Sequence, residues 1–107
     1  MRHTTLDIEA ELENADRFRL AGKEGRARVC ARRAAGAAAR EFLTRHSVHL
    51  PDASAYAALQ ALVDFPGLSP DLQEAAIHLT ARLTEAFTLP VDADLISEAR
   101  KLIGGLK

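Results

Sequence analysis

The stretch that decides the fold is Gly25–Arg45, which reads GRARVCARRAAGAAAREFLTR. It contains seven alanines and no proline, a composition that favours one long, uninterrupted α-helix. Small and apolar residues recur in it every three or four positions, which predicts a single buried face. The members of that face are Ala27, Ala31, Ala34, Ala38 and Phe42.

A second apolar line runs along the same helix. Val29, Gly36 and Leu43 lie seven positions apart, so they stack on one side of it. A glycine in the middle of a helix costs about 1 kcal/mol relative to alanine. We therefore expect Gly36 to lie against another backbone, either in this chain or in a partner. The two apolar faces together favour a homodimer.

A stripe of arginines lies roughly opposite the alanine face. Arg26, Arg33 and Arg40 are also seven apart, in a segment (residues 17–45) of net charge +7 within a chain of net charge −1. Such a stripe is able to bind the phosphates of a nucleotide or nucleic acid. Its alternative role is to pair with the acidic first helix inside the molecule, since residues 1–16 have a net charge of −4.

The rest of the chain predicts four further helices around this one. Helical periodicity and capping residues place them as follows: about Thr5–Arg19, Ser54–Asp64, from Ser69-Pro70 to about Phe87, and from Asp92 or Asp94 to Gly104-Gly105. No strand pattern is visible, and the connections are short. The expected fold is a single all-α domain over residues 1–107, a compact up-and-down bundle of about five helices.

Composition limits the compartment and the class of protein. The chain has one cysteine, Cys30, and therefore no intramolecular disulfide, which fits a reducing environment. It contains no apolar run near the roughly 20 residues that span a bilayer, and no signal peptide is visible. We expect a cytoplasmic protein that is not embedded in a membrane.

Candidate metal and catalytic residues are few. His46 and His49 have a spacing seen in zinc sites, but no second cysteine accompanies them. Cys30 falls among alanines, where packing is the favoured role. His78 is expected on a solvated face, in a ladder with Glu74 and Arg82. We expect no metal, no cofactor and no self-sufficient catalytic motif.

The pattern of small residues resembles that of HEPN domains, a family of small helical bundles. The resemblance rests on Ala15–Phe18, a turn with Gly22 and Gly25, and the alanine-rich helix Ala31–Leu43. In the second half, a helix at Leu79–Phe87, a proline break and a closing helix over Asp94–Leu102 fit as well. The resemblance implies a bundle of four or five helices that is often dimeric. Members are often partnered with a small nucleotidyltransferase or act on RNA.

The ribonuclease members of that family carry an arginine followed, four to six residues later, by a histidine on a late helix. Arg82 has no histidine at that spacing, while Arg40 and His46 have five residues between them but end the second helix. The family's catalytic residues therefore map to no position here.

The sequence thus favours a non-catalytic, HEPN-like helical domain that binds a partner protein or a nucleotide. The candidate ligand-binding residues are Arg26, Arg33, Arg40 and His46. Two alternatives stay open: a toxin-type ribonuclease that uses Arg40 and His46, and a nucleic-acid-binding module that uses the arginine stripe.

Overall fold

The computed structural model describes residues 7–50, 54–81 and 94–107, and these form five α-helices with no strand among them. The helices are α1 (Ile8–Leu20), α2 (Glu24–Arg45), α3 (Ala55–Val63), α4 (Pro70–Thr80) and α5 (Leu95–Gly105). The predicted all-α helical bundle is confirmed. Among the described residues, no helix combines the length and the apolar character needed to cross a membrane.

Four of the helices begin at a side-chain cap. Asp7, Ser54, Ser69 and Asp94 each accept a hydrogen bond from a backbone N–H two or three residues further on. Such caps satisfy N–H groups that have no partner within the helix. The predicted starts at Ser69-Pro70 and Asp94 are confirmed. α1 begins at Ile8, where the Asp7 carboxylate accepts from the Ala10 N–H, and the predicted cap at Thr5 lies outside the described residues.

Two helix ends differ from the prediction. α4 ends at Thr80 instead of continuing to about Phe87, since the backbone of Ala81 is extended. The predicted positions between residues 82 and 93 lie outside the described residues. α5 includes Gly104 and Gly105, which were expected to stop it, and its C-cap is Leu106.

α2 is the central helix. It packs against α1, α3 and α5, and it also touches α4. The alanines on its predicted inner face are buried, whereas Phe42 at the end of that face is half-buried. α1 runs antiparallel to α2, because Phe18 lies at Arg26 while Glu11 lies at Arg33.

α5 runs in the same general direction as α2. Its cap Asp94 pairs with Arg19 near the start of α2, and the Leu106 carbonyl at its other end accepts from Arg45 at the end of α2. Not all neighbouring helices are therefore antiparallel. α1, α2 and α5 together enclose a core whose lining is mostly alanine, with leucine and isoleucine supplied by α5.

Gly36 is the point at which α3 approaches α2. A Cβ atom built on Gly36 would lie 2.5 Å from the Ala55 Cβ and 2.6 Å from the Ala55 Cα. The expected close approach of another backbone is confirmed, and it comes from the first residue of α3. Leu43 is buried as well, so Val29 is the one member of the second apolar line that stays exposed.

α2 ends in a Schellman motif in which Ser47 stands where glycine is usual. The Val48 N–H donates to the Leu43 carbonyl at 2.8 Å, and the Ser47 N–H donates to the Thr44 carbonyl at 3.0 Å. This is the Schellman arrangement, whose left-handed position glycine usually occupies. Here Ser47 occupies it, with φ 63°.

A three-residue ionic cluster joins α1, α2 and α5. The Arg19 guanidinium lies 2.6 Å from Glu24 and 2.9 Å from Asp94. Its hydrogen bonds hold the pKa of both carboxyl groups below their ordinary values. Because the three side chains are between a third and a half exposed, solvent screens the interaction.

Acid should weaken this cluster. Its contribution is present above the ordinary carboxyl pKa of about 4 and is lost as pH falls through the lowered folded-state values. We expect Arg19→Gln to lower the free energy of unfolding at pH 7 by about 1 kcal/mol and to flatten the decline in acid. Urea unfolding between about pH 6 and pH 3 measures both effects. An equal decline in the parent and the variant, with Arg17→Gln as control, would contradict the assignment.

Candidate functional site

The structure divides the predicted arginine stripe into two parts. Arg26 lies over the Phe18 ring at 5.8 Å from its centroid, and Arg33 lies 3.2 Å from Glu11. Pairing with the acidic first helix therefore occurs at Arg33. That side chain is nevertheless 55% exposed, whereas Glu11 is 12% exposed. Arg40 lies at the other end of the stripe, where its guanidinium is 3.4 Å from the Ser54 carbonyl oxygen at the start of α3.

The N-terminal part of the stripe forms a surface that we call the basic face: Arg26, Val29, Arg33 and Ala37. These four positions fall within about 80° of one another around α2. Val29 is 51% exposed, and Arg26 and Arg33 are exposed as well. The basic face thus presents two cations and an accessible apolar side chain on a rigid helix.

The C-terminal part of the stripe borders a surface cleft of about 380 Å³. Six residues line the cleft: Arg40, Thr44, Ser47, Val48, His49 and Leu50. They come from the last turns of α2 and from the chain that leaves it. The cleft therefore combines a guanidinium, an imidazole and two hydroxyls with two aliphatic side chains.

His46 is not among the residues that line the cleft with Arg40. Its ring packs against Phe42, with centroids 4.2 Å apart, and meets Phe65 edge-on at 5.3 Å. Its Nδ1 lies 2.9 Å from the Phe42 carbonyl oxygen, so this nitrogen is placed to donate to the backbone. The packing and the hydrogen bond fix the ring in an aromatic cluster on the bundle.

Two other arginines of the basic segment bind helix ends. Arg32 donates from Nε to the Leu79 carbonyl at 2.9 Å and from Nη2 to the Ala81 carbonyl at 2.7 Å. Arg45 donates to the Leu106 carbonyl at 2.8 Å. Carbonyls at a helix C-terminus have no partner within the helix and carry partial negative charge. These two arginines thus contribute to the fold.

Cys30 is buried, as expected. Burial raises the pKa of its thiol, and a hydrogen bond with Glu11 raises it further. The thiol form is favoured as a result, although Arg33 lies nearby. This environment is typical of a packing residue.

The structure corrects the expected role of His78. Its side chain is 23% exposed, and its Nδ1 is buried 3.6 Å from the buried Oε1 of Glu98 on α5. Glu74 is 4.0 Å from the other ring nitrogen, and Lys101 lies 3.6 Å from Glu98. His78 therefore keeps the predicted contact with Glu74 but also faces the α4–α5 interface, because α5 packs against that side of α4; Arg82, the other predicted partner, lies outside the described residues.

Within the described ranges, no three histidine, cysteine or acidic side chains approach closely enough to hold a metal ion. The cleft was not predicted as a unit. His49 was considered only as a zinc ligand, and Thr44 and Ser47 were not considered as ligand-binding residues. Its one sequence signal is a serine at the position after a helix where glycine is usual.

Comparison of the chain with models of protein families, with curated proteins and with solved structures gives no match. The basic face and the cleft are therefore the features of the described residues from which a function is inferred.

Proposed function

We propose that this chain is a non-catalytic helical binding domain of HEPN type, and that its basic face docks an acidic helix of a partner protein. The observation that carries the proposal is the exposed side of α2. Its other sides are covered by α1, α3 and α5, whereas Arg26, Val29 and Arg33 are exposed. A nucleotidyltransferase-type partner, which the resemblance implies, fits the proposal if it carries such a helix.

The spacing of the two arginines favours a helix as the docked element. Positions seven apart on α2 are separated by about 10.5 Å along its axis, and a partner helix presents its own residues at the same repeat. Carboxylates one heptad apart would then meet Arg26 and Arg33 together. An apolar partner residue between them would cover Val29, as in the seam between paired helices.

The exposure of Arg33 leaves room for a second carboxylate beside Glu11. Its ion pair with Glu11 leaves more than half of the arginine side chain exposed, so its outer N–H groups remain accessible. Arginine presents five N–H donors and binds carboxylates in a bidentate manner. Arg33 is thus able to keep Glu11 and bind a second carboxylate.

Binding is tested with a synthetic amphipathic helix of about three heptads that carries glutamate once per heptad beside leucine. We expect Arg26→Gln combined with Arg33→Gln to weaken its binding about tenfold, which corresponds to about 1.4 kcal/mol. The same peptide with lysine in place of glutamate should not bind. Fluorescence anisotropy measures the affinities.

The matched control removes two charges elsewhere, through Arg17→Gln combined with Lys107→Gln. Equal weakening in both double variants would show that only net charge matters and would overturn the docking site. Stronger, steeply salt-dependent binding of RNA at the basic face would favour the nucleic-acid-binding alternative, because phosphate contacts release counterions.

We further propose that the chain does not cleave RNA. A ribonuclease needs an acid or base within reach of the reacting oxygens and a cation for the developing charge. The packing of His46 on Phe42 and Phe65, with Nδ1 directed to a backbone carbonyl, supports a structural role for it. We expect purified protein to leave a structured RNA intact. Cleavage that both Arg40→Ala and His46→Ala abolish would establish the ribonuclease alternative.

The homodimer stays a prediction. Its motive was a second apolar face on α2; within the chain, Ala55 at the start of α3 lies against Gly36, and Leu43 is buried. Val29 remains exposed on the basic face, so self-association through that face would compete with the acidic peptide. Sedimentation velocity with and without the peptide distinguishes self-association of the chain from binding of the peptide.

A further inference from the structure

The cleft at the end of α2 gathers four polar side chains that favour an anion. We propose that it binds the phosphoryl group of a small phosphate monoester, such as a nucleoside monophosphate or a sugar phosphate. This site is separate from the basic face and does not depend on the function proposed for it.

The donors suit a phosphoryl group. Arg40 and His49 provide N–H groups, and Thr44 and Ser47 provide hydroxyls that are able to donate to phosphate oxygens. None of the six lining residues is acidic. A phosphate monoester has three strongly accepting oxygens and charge close to −2, so it is able to use several of these donors at once.

Ser47 supplies an independent argument. A residue other than glycine at φ 63° is strained, and glycine would satisfy the same Schellman hydrogen bonds without that cost. Strain of this kind concentrates at binding and catalytic sites, where the side chain has a use. The use available to the Ser47 side chain is its position in the wall of the cleft.

The local backbone does not oppose an anion as strongly as a helix C-terminus normally does. Backbone N–H groups of the motif already bind the carbonyl oxygens of Phe42, Leu43 and Thr44. The positively polarised start of α3 lies close by, since Arg40 reaches the Ser54 carbonyl. The hydrogen bonds of the motif therefore reduce the partial negative charge that the end of α2 presents to the cleft, and the Arg40 guanidinium supplies positive charge there.

The size of the cleft limits the ligand. A volume of about 380 Å³ is at the small end of the range for small-molecule sites. Val48 and Leu50 provide an apolar wall beside the polar donors. A compact body such as a ribose or a single nucleoside fits this combination better than an extended polymer.

The first experiment titrates ¹⁵N-labelled protein with AMP, ribose 5-phosphate and adenosine, and follows backbone amide shifts. We expect saturable shifts in residues 44–50 with at least one phosphate and none with adenosine. Binding of AMP alone would identify a nucleotide site, and binding of ribose 5-phosphate as well would identify a general phosphate monoester site. Equal shifts with adenosine, or no shifts with either phosphate, would overturn the proposal.

The second experiment compares variants by the same titration. We expect Arg40→Gln to weaken binding about tenfold and His49→Gln several-fold, while Arg17→Gln leaves it unchanged. Ser47→Gly should raise the melting temperature by about 4 °C and still weaken binding several-fold, because strain and hydroxyl are lost together. Unchanged affinity in Ser47→Gly and His49→Gln would overturn the assignment even if Arg40→Gln failed to fold.

Discussion

Gly36→Leu should destabilise the domain by about 3 kcal/mol or more, the largest effect that we expect from a single substitution. A side chain at this position enters space that the backbone of Ala55 occupies, since the built Cβ lies 2.6 Å from the Ala55 Cα. Backbone at the start of a helix cannot move aside as a flexible side chain can. α3 would have to separate from α2, which would expose Leu59 and Leu62.

Gly36→Ala is the sharper form of the test. In an open helix, this substitution stabilises by about 1 kcal/mol because alanine is the better helix former. Here we expect the opposite sign, with a loss of about 1 to 3 kcal/mol from overpacking. Gly25→Ala in the same helix is the control, because no atom lies within 4 Å of a Cβ there. Urea or thermal unfolding measures the stability of Gly36→Leu, Gly36→Ala and Gly25→Ala.

A second substitution, at Ala55, distinguishes the effect of the Gly36–Ala55 contact from the effect of helix propensity at residue 36. Ala55→Gly removes one of the three Ala55 atoms that a Cβ on Gly36 would meet, but it leaves the Cα and the carbonyl oxygen in place. We therefore expect it to rescue Gly36→Ala only in part. A melting temperature that Gly36→Leu leaves unchanged would refute the close approach.

Arg32→Met should lower the free energy of unfolding by about 2 to 3 kcal/mol. The guanidinium makes two hydrogen bonds, 2.9 and 2.7 Å long, to the Leu79 and Ala81 carbonyl oxygens at the end of α4. A hydrogen bond to a charged group contributes about 1.5 to 3 kcal/mol, and an acceptor left without a partner adds a desolvation cost. Methionine keeps most of the aliphatic volume, so the loss is mainly polar.

Two control variants show whether the loss of stability in Arg32→Met comes from its hydrogen bonds to the two carbonyls. Arg28→Met removes an arginine from the same helix whose 3.7 Å contact with Glu24 is a surface ion pair, and it should cost less than about 1 kcal/mol. Arg32→Lys keeps the charge without the planar fork, so we expect an intermediate loss. Similar losses in Arg32→Met and Arg28→Met would contradict a special role for the two carbonyls.

Local sequence signals predicted the framework well. Ser69-Pro70 was recognised as a helix start, and Asp94 was one of two candidate caps with Asp92, because capping is a property of neighbouring residues. The long central helix and the reason for Gly36 also followed from local composition and spacing. The partner of Gly36 did not, because nothing local identifies Ala55 as the residue that approaches it.

Errors arose where a distant residue decides the local structure. At the end of α4 the carbonyl oxygens of Leu79 and Ala81 accept from Arg32, which lies almost fifty positions away in the chain, so no local pattern marks that end. His78 faces Glu98 for a similar reason, since α5 covers a side of α4 that looks polar in sequence. The cleft was missed because Ser47, Val48, His49 and Leu50 lie beyond the end of α2, where the left-handed turn at Ser47 sets the direction of the chain.

The alanine lining of α2 also determines how this core responds to stress. Alanine has no χ angle to change, so a contact between alanines cannot be relieved by selecting another rotamer. A force on one helix is then passed on as displacement of a whole neighbouring helix, because the packed interior is nearly incompressible. The inner side of α2 is therefore stiff, because it has few side chains that could absorb a displacement by changing conformation. A displacement imposed on one end of α2 would therefore move the whole helix as a rigid body.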